Sequence, residues 1–82
     1  MILNSALMNC RSMCNKTLLI NDYITEHSLD LLCMCETWLS GNEKDNVTIS
    51  EVLPPGYDIY HVPRIGKGGG IGMIYQSSLL IK

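Results

Sequence analysis

The run Leu31-Leu32-Cys33-Met34-Cys35 is continuously apolar and stops at a carboxylate, Glu36. No other stretch limits the fold as much. Five apolar residues in a row have the length of a strand. Their lack of alternation predicts a strand over 31–36 buried on both faces, as in sheets covered by helices. Such a strand needs partners. Residues 3–8 read as a second short, mostly apolar strand, followed by a polar loop over 9–16. Between the two strands, Ile20, Tyr23, Ile24 and His27 fall at i, i+3, i+4 and i+7, one face of a helix over about 16–27. Asn15 is the expected cap, with the Thr17 hydroxyl as the weaker candidate. Ser28-Leu29-Asp30 is the turn out of the helix.

Residues 37–55 hold Gly41, Asn42, Asn46, Pro54, Pro55 and scattered charges. They read as a long loop with room for one short helical or extended piece. Loops of this length inside a domain are often functional. Pro55-Gly56 is a turn signal. Residues 57–62 alternate, with Tyr57, Ile59 and His61 on one face, and 71–76 alternate again, with Ile71, Met73 and Tyr75 on one face. With the glycine-rich stretch 64–70 between them they predict an antiparallel hairpin. Another apolar run begins at Leu79. The order is β-α-β-loop-β-β, an α/β class, without internal repeats.

A strand, a helix and a second strand normally form a right-handed crossover with parallel strands. The carboxyl ends of both strands then share one edge, where α/β sheets tend to place ligands. Asn9 and Glu36 stand at those two ends. Neighbouring strands are about 4.8 Å apart, so both side chains can approach one ion. A carboxylate oxygen is a hard ligand suited to Mg²⁺. Asn9 would either ligate the ion or fix the rotamer of Glu36. The plain alternative for Glu36 is a solvated strand edge or a helix cap. Arg11, Ser12 and Lys16 follow Asn9 on the same edge and are the candidates for the substrate side. Trp38 is expected to pack under the loop as a core anchor rather than to stack on a base, and His27 to be a boundary residue.

Composition narrows the function classes. The 82 residues are 46% hydrophobic and 17% charged, a folding composition rather than a disordered one. A chain of this size buries only about 60% of its unfolded surface. The net charge of -2 argues against an autonomous nucleic-acid module, which carries a basic excess, but does not exclude a metal-binding centre, which is acidic. Met1 to Cys10 does not read as a secretory signal, and no run approaches the roughly 18 apolar residues of a membrane span. An intracellular location and no membrane partner are therefore expected. The two sequons at Asn15 and Asn46 read as chance matches. Cys10, Cys14, Cys33 and Cys35 are spaced C-x3-C and C-x-C, unlike the C-x2-C knuckles of zinc sites. They are expected to be reduced core cysteines, with no structural zinc. A small Cys-ligated zinc module is the competing reading, and stoichiometric zinc in purified protein would favour it. Gly66-Lys67-Gly68-Gly69-Gly70 matches neither phosphate-loop pattern and reads as a hairpin turn. Arg64 and Lys67 on it could touch phosphates, with a solvated turn the equal alternative.

The ordered set of motifs adds a resemblance. It consists of Asn9-Cys10-Arg11-Ser12, Asn15-Lys16 before a helix, Cys33-Met34-Cys35-Glu36-Thr37-Trp38-Leu39, Pro55-Gly56-Tyr57, and Gly68-Gly69-Gly70-Ile71-Gly72-Met73-Ile74-Tyr75. From about Leu3 to Ile81 the chain resembles the start of the exonuclease-endonuclease-phosphatase superfamily. The closest likeness is to the endonuclease domains of non-LTR (LINE-type) retrotransposons.

The resemblance implies that residues 1–82 are the N-terminal fragment of a single domain, a β-α-β-loop-β-β piece of a two-sheet α/β sandwich. It implies Glu36 as a Mg²⁺ ligand and Asn9 as a residue that helps arrange the metal. Both would be catalytic residues of a DNA-nicking endonuclease, nuclear if part of a retrotransposon protein. The family's later tyrosine, Asp-x-Asn pair, further aspartate and terminal Asp-His pair have no counterpart here. His27 and His61 come too early to stand in for the base. A complete sandwich runs to roughly 200–250 residues. The expectation is therefore an inactive portion of an endonuclease, with DNA as partner only in the complete domain. The alternative is a non-catalytic remnant or small binding fragment. Without a second sheet, aggregation or a loosely ordered state is expected.

Overall fold

The computed structural model describes residues 3–41, 43–63 and 69–79. Alternation and helical periodicity divide the chain into β1 (Ser5–Asn9), α1 (Thr17–Glu26), β2 (Leu31–Cys35), α2 (Asp45–Val52), β3 (Tyr57–Val62) and β4 (Ile71–Gln76). The strands form one mixed sheet in the order β1-β2-β4-β3. β1 and β2 are parallel, with Asn9 level with Cys35. β4 is antiparallel to both β2 and β3, so the expected β3–β4 hairpin forms. The α/β class and the crossover of parallel strands are as expected.

One face of the sheet carries the core. Leu32 and Met34 of β2 and Ile74 of β4 pack with Ile20 and Ile24 of α1 and Val52 of α2, so both helices cover that face. The tight fit there explains Gly72. A Cβ on it would come within 3.3 Å of Met34 Cε and Thr37 Cγ2. The other face is open. Leu31, Cys33 and Cys35 are only half-buried, so β2 is covered on one side and not on both. Its unbroken apolar run reflects position in the sheet, since β2 is flanked by two strands and its second face carries small thiols and Leu rather than charge. Of the cysteines expected in the core, Cys10 is buried, Cys33 and Cys35 face the open side, and Cys14 is exposed.

Two local differences matter for the edge above the sheet. The long loop contains α2, whose start is organised by Asp45, as described below. Helix α1 begins one residue later than expected, with Lys16 at the cap position and no side-chain cap from Asn15. At its other end, Ser28 takes φ 50°. The Ser28 N–H donates to Thr25 O and the Leu29 N–H to Ile24 O, which closes the helix in a Schellman turn. Leu29 is buried there. Of the turn 64–70 expected between β3 and β4, residues 64–68, with Arg64 and Lys67, lie outside the described residues, as does the last apolar run beyond Leu79.

Candidate metal centre

Parallel pairing brings Asn9 and Glu36 to the same edge. Asn9 Nδ2 donates to Glu36 Oε2 at 2.7 Å. A carboxylate only accepts, so this bond also fixes which end of the Asn9 amide points at Glu36. Glu36 is half-buried and Asn9 exposed. No described residue bonds Glu36 Oε1 or Asn9 Oδ1, which leaves two hard oxygen acceptors directed by one clamp.

The backbone under Glu36 is held from both sides. Past the end of β1, Cys10 N–H donates to Cys35 O at 3.0 Å, Ser12 N–H to Glu36 O at 2.9 Å and Met13 N–H to Thr37 O at 3.0 Å. On the other side, Thr37 N–H donates to Gly70 O at 3.4 Å and Trp38 N–H to Gly69 O at 2.9 Å. Between these ladders Glu36 has φ 52° and Trp38 φ 59°. Left-handed backbone is strained for residues with a side chain, and it persists where neighbours over-determine it. Here the braces on both sides do so. The bends also decide which side chains go in. Thr37 and Leu39 are fully buried, and Trp38 is 37% exposed. Trp38 is therefore not the core anchor expected of it. Leu39 fills that role, because the left-handed residue between the two buried ones turns the indole outward.

The remaining edge residues separate by role. Arg11, at φ 47°, is exposed and Ser12, at φ 80°, is half-buried. Lys16 Nζ donates to Cys10 O at 2.7 Å, Arg11 O at 3.2 Å and Ser12 O at 3.4 Å. Its ammonium is thus engaged with the loop rather than aimed away from it. Burial pushes the Cys10 thiol up, nearby Lys16 pulls it down less, and Cys35 adds to the rise. Cys10 is accordingly a protonated core thiol. His27 lies at the opposite end of α1, where its carbonyl accepts from Asn4 Nδ2. His61 Nδ1 is buried and has no hydrogen-bond partner among the described residues.

Asp45 was not singled out from the sequence. Its carboxylate closes the loop before α2, accepting from Ser40 N at 3.1 Å, Ser40 Oγ at 3.1 Å and Gly41 N at 2.7 Å. The Ser40-Gly41 pair shortly before Asp45 at a helix start is the signal that would have found it.

A hard divalent cation fits the oxygens of this edge in part. Glu36 offers a carboxylate of the right chemistry, and Mg²⁺ is often held by one or two carboxylates together with substrate phosphate. Among the described residues, no group of three or more His, Cys, Asp or Glu side chains is placed to hold a metal. Asn9 and Glu36 would therefore form one side of a centre.

No family model matches the chain, and no curated protein does. Solved structures do. The chain is similar to an AP endonuclease from Leishmania major, with a TM-score of 0.68 and 20% identity over 88% of this chain and 23% of that one. It is also similar to an AP endonuclease from Archaeoglobus fulgidus, with a TM-score of 0.71 and 20% identity over 90% of this chain and 27% of that one. The chain thus has the fold of part of these enzymes, and spans about a quarter of their length.

Proposed function

We propose that the chain is the N-terminal part of a Mg²⁺-dependent DNA endonuclease of the retrotransposon type. In this reading the complete domain nicks target DNA to prime reverse transcription, and these 82 residues alone do not hydrolyse it. The observation that carries the reading is the 2.7 Å Asn9–Glu36 bond at a shared strand edge, on a fold also seen in AP endonucleases. The retrotransposon assignment rests on the wording around Asn9 and Glu36 in the sequence.

Glu36 would hold the ion through its free oxygen, and Asn9 would keep that carboxylate from rotating away. A bound Mg²⁺ supplies a lowered pKa for attacking water and neutralises charge on the phosphoryl group. The rest of the ion's shell and the general base would come from other parts of the domain. Arg11, exposed on the same edge, would meet a DNA phosphate.

Nicking of supercoiled plasmid with Mg²⁺ tests this. The purified 82-residue chain should not nick. In a polypeptide that continues past Lys82 through an Asp-x-Asn pair and a terminal Asp-His pair, Asn9→Ala should lower the rate by about 10- to 100-fold, and Glu36→Ala by more. Nicking by the short chain that Glu36→Ala removes would show that the site is already complete. Unchanged nicking by Glu36→Ala in the longer polypeptide would remove Glu36 from the metal centre.

A further inference from the structure

Lys16 is oddly placed for a lysine. It occupies the cap position of α1, where the positive end of the helix dipole disfavours a cation. Its ammonium nevertheless turns back to three successive carbonyl oxygens, those of Cys10, Arg11 and Ser12, at 2.7, 3.2 and 3.4 Å. Those carbonyls converge because Arg11 and Ser12 are both left-handed, at φ 47° and 80°, and neither is glycine. The same short loop presents its N–H groups in the other direction. Ser12 donates to Glu36 O and Met13 to Thr37 O. The loop therefore has a lysine on its carbonyl side and the metal-ligand segment on its amide side.

We propose that Lys16 is a positioning residue that holds the strained Cys10–Ser12 turn closed, and through it fixes the backbone of Glu36 and the Asn9–Glu36 pair. The inference rests on the metal reading of Glu36 but adds a residue that touches neither ion nor substrate. Lysine suits the task because a compact ammonium with three donors can serve three carbonyls around one point. A guanidinium is a planar fork and cannot converge in the same way. The positive charge also offsets the crowding of three carbonyl dipoles.

Two measurements on the 82-residue chain, at low micromolar concentration, test it. Hydrogen–deuterium exchange by mass spectrometry reads the segments 10–14 and 36–39, with 31–35 as control. Mn²⁺ titration followed by electron paramagnetic resonance reads the site. Lys16→Met should speed exchange in 10–14 and 36–39 at least tenfold, leave 31–35 within twofold, and weaken Mn²⁺ binding severalfold. Lys16→Arg should recover part of both losses. If Lys16→Met unfolds the chain, Lys16→Gln, which keeps two N–H donors, should show the same pattern at smaller amplitude. Unchanged exchange in 36–39 overturns the proposal. So does faster exchange with unchanged Mn²⁺ affinity in a chain whose Mn²⁺ binding Glu36→Gln removes. If Glu36→Gln binds Mn²⁺ as tightly as wild type, the metal reading fails instead, and the exchange of 36–39 alone decides the part played by Lys16.

Discussion

Burial raises the proton affinity of Asp45, but the N–H groups of Ser40 and Gly41, the Ser40 hydroxyl and the nearby His61 outweigh it and hold the carboxyl below its ordinary range. A group with a lowered folded pKa stabilises the fold above its unfolded value, about 3.9, and loses that contribution as pH falls through the folded value. Asp45→Ala should therefore cost about 1.5–3 kcal/mol near neutral pH, the range for hydrogen bonds to a charged group. The gap to wild type should begin to narrow below about pH 4 and shrink further as the pH falls. Urea unfolding at pH 7 and pH 3 checks both statements, and an equal gap at the two values would contradict them. Glu36 is the contrast at this scale. One of its oxygens is clamped and the other is left unbonded by the described residues. Both carboxylates were equally visible as letters, yet only Glu36 could be singled out. Its place at the end of an apolar strand is a pattern. The partners of Asp45 form only when the loop folds back. The left-handed backbone at Glu36 and Trp38 had no sequence signal either, since neither is a residue that favours it.

Elements were more legible than their ends. The periodicity of Ile20 and Ile24 located α1, and alternation located β3 and β4, because burial on one face imposes those periods directly. The boundaries shifted where hydrogen bonds compete. Lys16 prefers loop carbonyls, which moves the helix start, and Ser28 ends the helix in a turn usually built on glycine. That last feature predicts a gain. Left-handed backbone costs an ordinary residue roughly 1–2 kcal/mol, and glycine's extra chain entropy offsets about 0.5–1 kcal/mol of the relief. Ser28→Gly should thus stabilise the chain by about 0.5–1 kcal/mol. A midpoint of thermal unfolding that falls in this variant would show that the Ser28 side chain matters more than its φ. Helix α2 was hard to read because its eight residues, DNVTISEV, hold few strong helix formers, and it is fixed instead by contacts with α1. Thr17 Oγ1 donates to Glu51 Oε2 at 2.9 Å, and Asn21 Nδ2 to Glu51 O at 3.2 Å.

For the whole molecule, the open sheet face dominates behaviour in solution. Leu7 is 76% exposed, Tyr60 63% and Ile71 58%, and with Cys33, Cys35 and Met73 they line a shallow apolar hollow. Contiguous apolar surface of this kind drives association, and the outer edges of β1 and β3, which pair with no strand among the described residues, add backbone groups that can pair with another chain. Purified chain should therefore self-associate with rising concentration. The double variant Leu7→Lys, Tyr60→Lys should shift it toward monomer in sedimentation velocity. Concentration-independent monomer for the wild type would contradict this.

The strand order has a kinetic side as well. β2 pairs with β1 across one crossover but with β4 in the register Leu31↔Tyr75, and among the described residues β3 pairs with β4 alone. Its second edge must wait for a segment some forty residues further along the chain. High contact order of this sort slows folding, because loop closure must precede the contacts that reward it. During synthesis β1, α1 and β2 can assemble early, but the Gly69–Gly70 brace under Glu36 arrives with β4. The edge that carries Asn9 and Glu36 is therefore among the last parts of this sheet to become rigid.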